Sequence, residues 1–175
     1  MVRPAAAGDR DAILTVVEEA FSGLGRDGHD EVDIVRDTWS LDASPDGFDL
    51  VAIEAQVVIG HVLAAWGGLD GRAVLGVAPL AVAPAHQRRG IGQLLMSELL
   101  RRAAAAGVGL VALLGSPGYY GRFGFEPSGP LGIHYPPVGR DNRHFMVRRL
   151  GGYDPSLRGE FAYCWELRRD PARPG

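Results

Sequence analysis

Two short stretches hold the residues whose types and spacing could do chemistry. In LAVAPAHQRRGIGQLL, Leu80 to Leu95, a strand pattern gives way to Gln87-Arg88-Arg89-Gly90-Ile91-Gly92 and then to a helical pattern. The first backbone N–H groups of a helix have no partner inside it, and the dipole at that end is positive. Glycines let an anion approach the backbone closely, so this helix start is suited to a pyrophosphate. Arg88 and Arg89 add positive charge. In PGYYGRFGFEP, Pro117 to Pro127, Tyr119 stands beside Tyr120 in a short helical turn closed by a glycine. Adjacent helical residues point about 100° apart, so the two phenols serve different surroundings. A phenol with its ordinary pKa of about 10 is protonated at neutral pH and can donate a proton.

Other phosphate chemistries are excluded. All 18 basic residues are arginine. A P-loop needs its lysine, and a Schiff-base enzyme needs an amine nucleophile. The dinucleotide fingerprint, aligned on Gly90 and Gly92, requires Gly or Ala at position 95, which is Leu95. A formal net charge of -3 gives no global basic field for nucleic acid or an anionic membrane. The N-terminal residues lack a signal-peptide core, and the apolar runs are too short to span a bilayer. The five histidines and Cys164 show no zinc spacing, so no metal is expected. A lone cysteine forms no internal disulfide. These features together predict a cytoplasmic protein.

The elements that position the two stretches follow from periodicity. Asp9 is placed to cap a helix running to about Phe21, with Ala12, Ile13, Val16, Val17 and Ala20 on one face. GLGRDGHDE is a glycine-rich loop, with Asp27, Asp30 and Glu31 as acidic residues, and a second helix is expected around Asp30 to Trp39. Two strands with a turn near Ala55-Gln56 form a hairpin. Arg72–Pro84 is the next strand, and Pro79 inside it implies a bulge or an unpaired stretch. A helix from Gly90 to Ala106 buries Ile91, Leu95, Met96, Leu99, Leu100 and Ala103, with Leu94 out of place. GLVALLG is an apolar central strand. Ser116-Pro117 opens the tyrosine turn as N-cap and N1. Arg143–Leu150 and Phe161–Leu167 read as two last strands, the second carrying Cys164 as a small core residue. The order gives an α/β fold with helices on both faces of a mixed sheet. One domain over residues 1–168 and a polar tail at 169–175 are expected.

On these residues the chain resembles the GNAT superfamily of N-acetyltransferases. Gln87-x-x-Gly90-x-Gly92 after a strand is similar to that family's Q/R-x-x-G-x-G/A motif. Tyr120-x-x-x-Gly124-Phe125 is similar to its Y-x-x-x-G-F element. The resemblance is specific from Leu80 to Pro127 and looser elsewhere. It implies a mostly antiparallel, twisted sheet of about six or seven strands, splayed at a central parallel pair. It implies acetyl-CoA as co-substrate and an amine as acceptor. Backbone groups of Leu80, Ala81 and Val82 would then bind pantetheine, with Ser116 as a softer contact. Gln87, Arg88, Arg89, Gly90, Ile91 and Gly92 would hold the pyrophosphate. Tyr120 would be the general acid, and Tyr119 a packing or substrate contact. The family's strand glutamate has no counterpart in Arg72–Pro84. Glu18, Glu19, Glu54, His61 and His134 are left as candidate bases. That gap keeps a second reading open, a non-catalytic acyl-CoA-binding or sensor domain. A module binding nucleic acid or phosphoprotein through Arg88 and Arg89 is a third, opposed by the net charge. The fold class also suggests a homodimer.

Overall fold

The computed structural model describes residues 1–22, 29–139 and 142–169. The glycine-rich part of the first loop, with Asp27, lies outside the described residues, as does the tail from residue 170. Among these residues nine strands and five α-helices follow one another. They are β1 (Val2–Pro4), α1 (Arg10–Ser22), α2 (His29–Ser40), β2 (Asp49–Glu54), β3 (Val57–Leu69), β4 (Arg72–Val82) and α3 (Ile91–Ala105). Then come β5 (Leu110–Leu114), α4 (Pro117–Tyr120), β6 (Glu126–Pro127), β7 (Ile133–His134), β8 (Phe145–Arg149), β9 (Gly159–Ala162) and α5 (Cys164–Arg169). The strands hydrogen-bond in the order β1-β2-β3-β4-β5-β8-β6, with β9 on β3 and β7 on β9. The pairings of β1–β2, β2–β3, β5–β8 and β6–β8 are antiparallel, while β4–β5 is parallel. The result is an open, mostly antiparallel sheet in which β4–β5 and the short β7–β9 pairing are parallel. Two of the strands, β6 and β7, are only two residues long.

The chain divides into two compact units, Met1–Ala64 with Ala78–Arg102, and Ala65–Val77 with the residues from Ala103 on. In the first, β2 and β3 turn at Ala55-Gln56, where both residues have positive φ, 47° and 67°. That two-residue turn matches the right-handed twist of a hairpin. Asp49 pairs with Leu63 and Val51 with His61, so these four share one face. Val51 and Leu63 pack there against Ile13, Val16 and Val17 of α1 and Val32 and Val35 of α2. Gly60 lies on the other face, paired with Ala52. A Cβ on Gly60 would come within 3.0 Å of Leu95 and 3.1 Å of Ile91, so α3 covers that side. Leu95, Met96 and Leu99 are fully buried while Leu94 is 57% exposed, as its place on the helix predicts.

Asp9 is not a simple helix cap. It ends a 3-10 turn, Ala7–Asp9, accepts the Ala6 N–H at 2.7 Å and pairs with Arg3 at 2.7 Å. The arginine's hydrogen bonds hold its carboxyl below the usual carboxylate range, with the Ala6 N–H adding to the effect. The carboxylate thus ties β1 to the start of α1.

In the second unit β4 pairs with β5 over Leu75–Val77, opposite Val111–Leu113. Pro79 lies past these residues, where its missing N–H costs no bond to β5, and the Ala78–Pro79 peptide is cis. β8 zips onto β5 from Leu110–Arg149 to Leu114–Phe145. Phe145, Phe161, Tyr135, Tyr163 and Trp165 form one buried aromatic cluster, with Tyr163 and Trp165 stacked at 4.4 Å.

The strand expected over Phe161–Leu167 is corrected. β9 stops at Ala162 and α5 begins at Cys164. Glu166, the third helical residue, reaches back to accept the Tyr163 N–H at 2.8 Å, which is half of a capping box. Cys164 is buried in this helix, not in a strand.

Tyr163 lies against Gly76 of β4, and a Cβ at Gly76 would sit 2.8 Å from its ring. Gly76→Ala is therefore expected to destabilise the protein by about 1–3 kcal/mol through overpacking. The midpoint of urea unfolding checks this, and an unchanged midpoint would show that the ring can withdraw.

Candidate active site

The strand end, loop and helix start are built within the first unit. After β4 the Ala83 N–H bonds to Ile59 O at 3.0 Å, and a 3-10 turn, Pro84–His86, redirects the chain. The Gln87 amide donates to Val82 O at 3.1 Å, fastening the loop to the end of the strand. Arg88 and Gly90 have positive φ, 59° and 81°. The first backbone bond into α3 runs from Leu94 N–H to Gly90 O at 3.0 Å. Gly90 is thus the residue before the helix, and the N–H groups of Ile91, Gly92 and Gln93 have no acceptor one turn back. No heavy atom lies within 4 Å of where a Cβ on Gly90 would stand. The donor set and the open space in front of it fit a diphosphate. Behind it, Ala81 is buried in the α1–α2 core, while Leu80 and Val82 alternate to the other face and are half-buried.

The two arginines have different surroundings. Arg89 is engaged within the protein. Its guanidinium contacts Glu54 at 2.8 and 3.3 Å and His86 Nδ1 at 2.8 Å. The Arg89 hydrogen bond is the main cause that keeps the Glu54 carboxyl below its usual range. Arg88 is exposed and makes no ion pair with any described residue.

The tyrosine turn belongs to the second unit. Ser116 is the N-cap and Pro117 the N1 residue of α4, as expected, but the Ser116 side chain makes no capping bond. Its carbonyl accepts the N–H groups of Tyr119 and Tyr120 at 3.0 and 2.9 Å. Gly124 closes the turn with φ 77°. Tyr120 packs edge-to-face with Tyr119 at 4.9 Å and with Phe125 at 5.9 Å. Arg122 lies over the Tyr119 ring at 4.9 Å. Burial pushes both phenols above their ordinary pKa, Tyr120 far above it, with the neighbouring Tyr119 adding a smaller push. The phenols are thus distinguished by environment. Tyr119 faces a cation, and Tyr120 sits inside an aromatic cluster.

The candidate bases separate just as clearly. Glu18 and Glu19 are exposed on α1. Glu54 is committed to Arg89 and lies 3.4 Å from His86. His61 is fully buried and pairs through Nε2 with Asp49 Oδ1 at 2.8 Å, while Trp39 donates to the other Asp49 oxygen at 2.8 Å. His134 lies in β7 with a buried Nδ1 that has no partner among the described residues. Sequence reasoning missed Asp49, because nothing in local spacing links position 49 to positions 39 and 61. It also missed Glu166, whose carboxylate accepts the Tyr135 hydroxyl at 2.6 Å as well as the Tyr163 N–H. Its signal was its place three residues after Tyr163. Among the described residues no group of three or more His, Cys, Asp or Glu could hold a metal ion. No helix among them is long and apolar enough to cross a membrane.

A mostly antiparallel sheet in which β4 runs parallel to β5, with a loop leading from β4 into α3, matches the fold of the GNAT acetyltransferases. The family model of the GNAT acetyltransferases matches residues 11–125, well over half the chain. The chain belongs to that family. N-acetyltransferase Eis from Mycobacterium tuberculosis is 41% identical over 111 residues, 57% of this chain. The chain spans only 27% of the length of Eis. YjhQ of Escherichia coli, described as an uncharacterized N-acetyltransferase, is 29% identical over 136 residues, covering 74% of this chain and 75% of its own. YhbS of Escherichia coli, solved with CoA, superposes with a TM-score of 0.84 at 26% identity, over 97% of this chain and 92% of its own. A GNAT acetyltransferase from Brucella melitensis, solved with acetyl-CoA, gives 0.76 at 30% identity, over 93% of this chain and 94% of its own.

The unequal pairing of the arginines is testable. Arg88→Ala is expected to weaken CoA binding roughly fivefold to tenfold by loss of a charge-assisted contact. Arg89→Ala should cost less, because that side chain already has an internal partner. Calorimetric titration of CoA into both variants measures this, and equal losses would remove the distinction.

Proposed function

We propose that this chain transfers an acetyl group from acetyl-CoA to a primary amine by direct attack in a ternary complex, as a cytoplasmic enzyme. Backbone groups of Leu80, Ala81 and Val82 hold the pantetheine arm, and Ser116 adds a polar contact. The loop from Gln87 through Arg88, Arg89, Gly90 and Ile91 to Gly92 takes the pyrophosphate on its N–H groups. Acyl transfer requires a deprotonated amine, a stabilised oxyanion and a proton for the departing thiolate. Tyr120 supplies that proton. The observation that supports this best is its phenol, which burial keeps protonated while its backbone is held by Ser116. Cys164, buried in α5, is unsuited to carry the acyl group, which favours direct transfer over a covalent route.

A second reading, an acyl-CoA sensor without turnover, has a specific observation in its favour. β4 carries no acidic residue, and Glu54, the candidate glutamate nearest in sequence, is paired with Arg89. CoA binding without thiol release across an amine panel would select that reading.

Tyr120→Phe is expected to lower kcat by about 100-fold, at the low end of general acid–base contributions, with CoA affinity unchanged. A raised pKa keeps the phenol protonated to higher pH, so the wild-type kcat should not fall on the alkaline side below about pH 10. Thiol-release assays from pH 6 to 10 measure both, and an alkaline fall centred near pH 8 would assign the proton to another group.

A further inference from the structure

We propose that Gly115 is a positioning residue for Tyr120, and that His144 locks it in place. This inference rests on the reading of Tyr120 as the acid. Gly115 follows β5 directly and is not among the glycines with positive φ. Its backbone conformation therefore does not call for glycine. What calls for it is space. A Cβ built there would lie 2.6 Å from Tyr120 Cδ2 and 3.2 Å from Cζ, and closer still to Cε2. Carbon atoms in contact prefer about 3.5–4.0 Å, so the ring would have to move by roughly an ångström. Displacements of that size at a reacting group can cost about 100-fold in rate.

The strand cannot recede instead. The Gly115 N–H donates to His144 O at 2.8 Å, and the Gly115 carbonyl accepts from His144 Nδ1 at 3.2 Å. Both backbone groups of Gly115 are thus held by one residue across the β5–β8 pair. His144 is itself fixed, because its N–H donates to Asn142 Oδ1 at 2.8 Å and the Asn142 amide donates to Val138 O at 3.2 Å. Phe125 and Tyr119 also pack against the Tyr120 ring, with interplanar angles of 71° and 88°. The phenol ring is therefore held in contact with a bare glycine and two other aromatic rings. That glycine is anchored through a side chain that is itself exposed to solvent.

The test is a double-mutant cycle with thiol release as readout. Gly115→Ala is expected to lower kcat at least tenfold, with the KM for acetyl-CoA and the calorimetric Kd for CoA unchanged. In a Tyr120→Phe background the same substitution should have less than a twofold effect, since no hydroxyl is left to misplace. His144→Ala should lower kcat severalfold with the same background dependence, and His144→Asn, whose amide can donate near the Nδ1 position, should restore it. Gly121→Ala, where no atom lies within 4 Å of the added carbon, should behave as wild type. A Gly115→Ala loss that is equal in both backgrounds overturns the inference, as does an unchanged kcat. If Gly115→Ala does not fold, the His144→Ala cycle decides by the same criterion. A Tyr120→Phe variant with full kcat would overturn the acid reading, and this inference with it. A loss in Tyr120→Phe without one in Gly115→Ala would overturn this inference alone.

Discussion

Where an aromatic ring lies directly on the backbone of a strand, the residue beneath it has no room for a side chain. That constraint recurs through the second unit. Gly67 and Gly76 leave room for Phe161 and Tyr163, and Gly115 leaves room for Tyr120. Phe161 and Tyr163 lie against β3 and β4 at Gly67 and Gly76, and Tyr120 lies against the residue that follows β5. Because interiors are close-packed, a single added carbon at these positions has no space to occupy. The glycine count of the chain, which from composition alone looks like bias, is at these three sites a steric requirement.

The first unit is organised by a different interaction. Asp49 accepts from Trp39 and from the fully buried His61, joining α2 to the sheet through one carboxylate. A buried imidazole costs stability unless it is bonded, and here it is paired on one nitrogen. His61 accordingly reads as part of the framework, held by a carboxylate that the fold must keep in place. Its other ring nitrogen, Nδ1, is enclosed and has no hydrogen-bond partner among the described residues, so it is burial that sets His61 apart from a working base.

Much of this was legible in the sequence, for reasons particular residues explain. Ala55-Gln56 punctuates two alternating runs, and Leu94 stands out of register on a 3.6-residue period. Gln87 to Gly92 combines helix-start chemistry with glycine spacing, and each of these signals is local. The strand predicted over Phe161–Leu167 failed because aromatic and apolar residues carry no period of their own there. The deciding feature was Glu166, whose reach back to Tyr163 outweighs the local preference of Tyr163-Cys164-Trp165 for a strand. Arg88 and Arg89 looked equivalent because composition counts charges, whereas partners come from the hairpin turn 35 positions away. Gly115 showed nothing until Tyr120 folded onto it. Spacing finds groups that share an element, and contacts between distant elements need the fold.

The Arg89–Glu54 pair also has a bearing on ionic strength. Salt screens exposed charges beyond about 8–10 Å, and it would weaken the attraction of the loop for the pyrophosphate proposed to bind there. It also weakens the exposed pair of Glu54 and Arg89, though less at a contact of 2.8 Å, and a loosened Arg89 would add its charge beside the same loop. The two effects oppose each other. A loop with one free arginine and one internally compensated arginine would respond to salt less steeply than its charge count suggests. The carboxylate that reduces its affinity in dilute buffer would then act as a buffer of affinity against changes in the surrounding electrolyte.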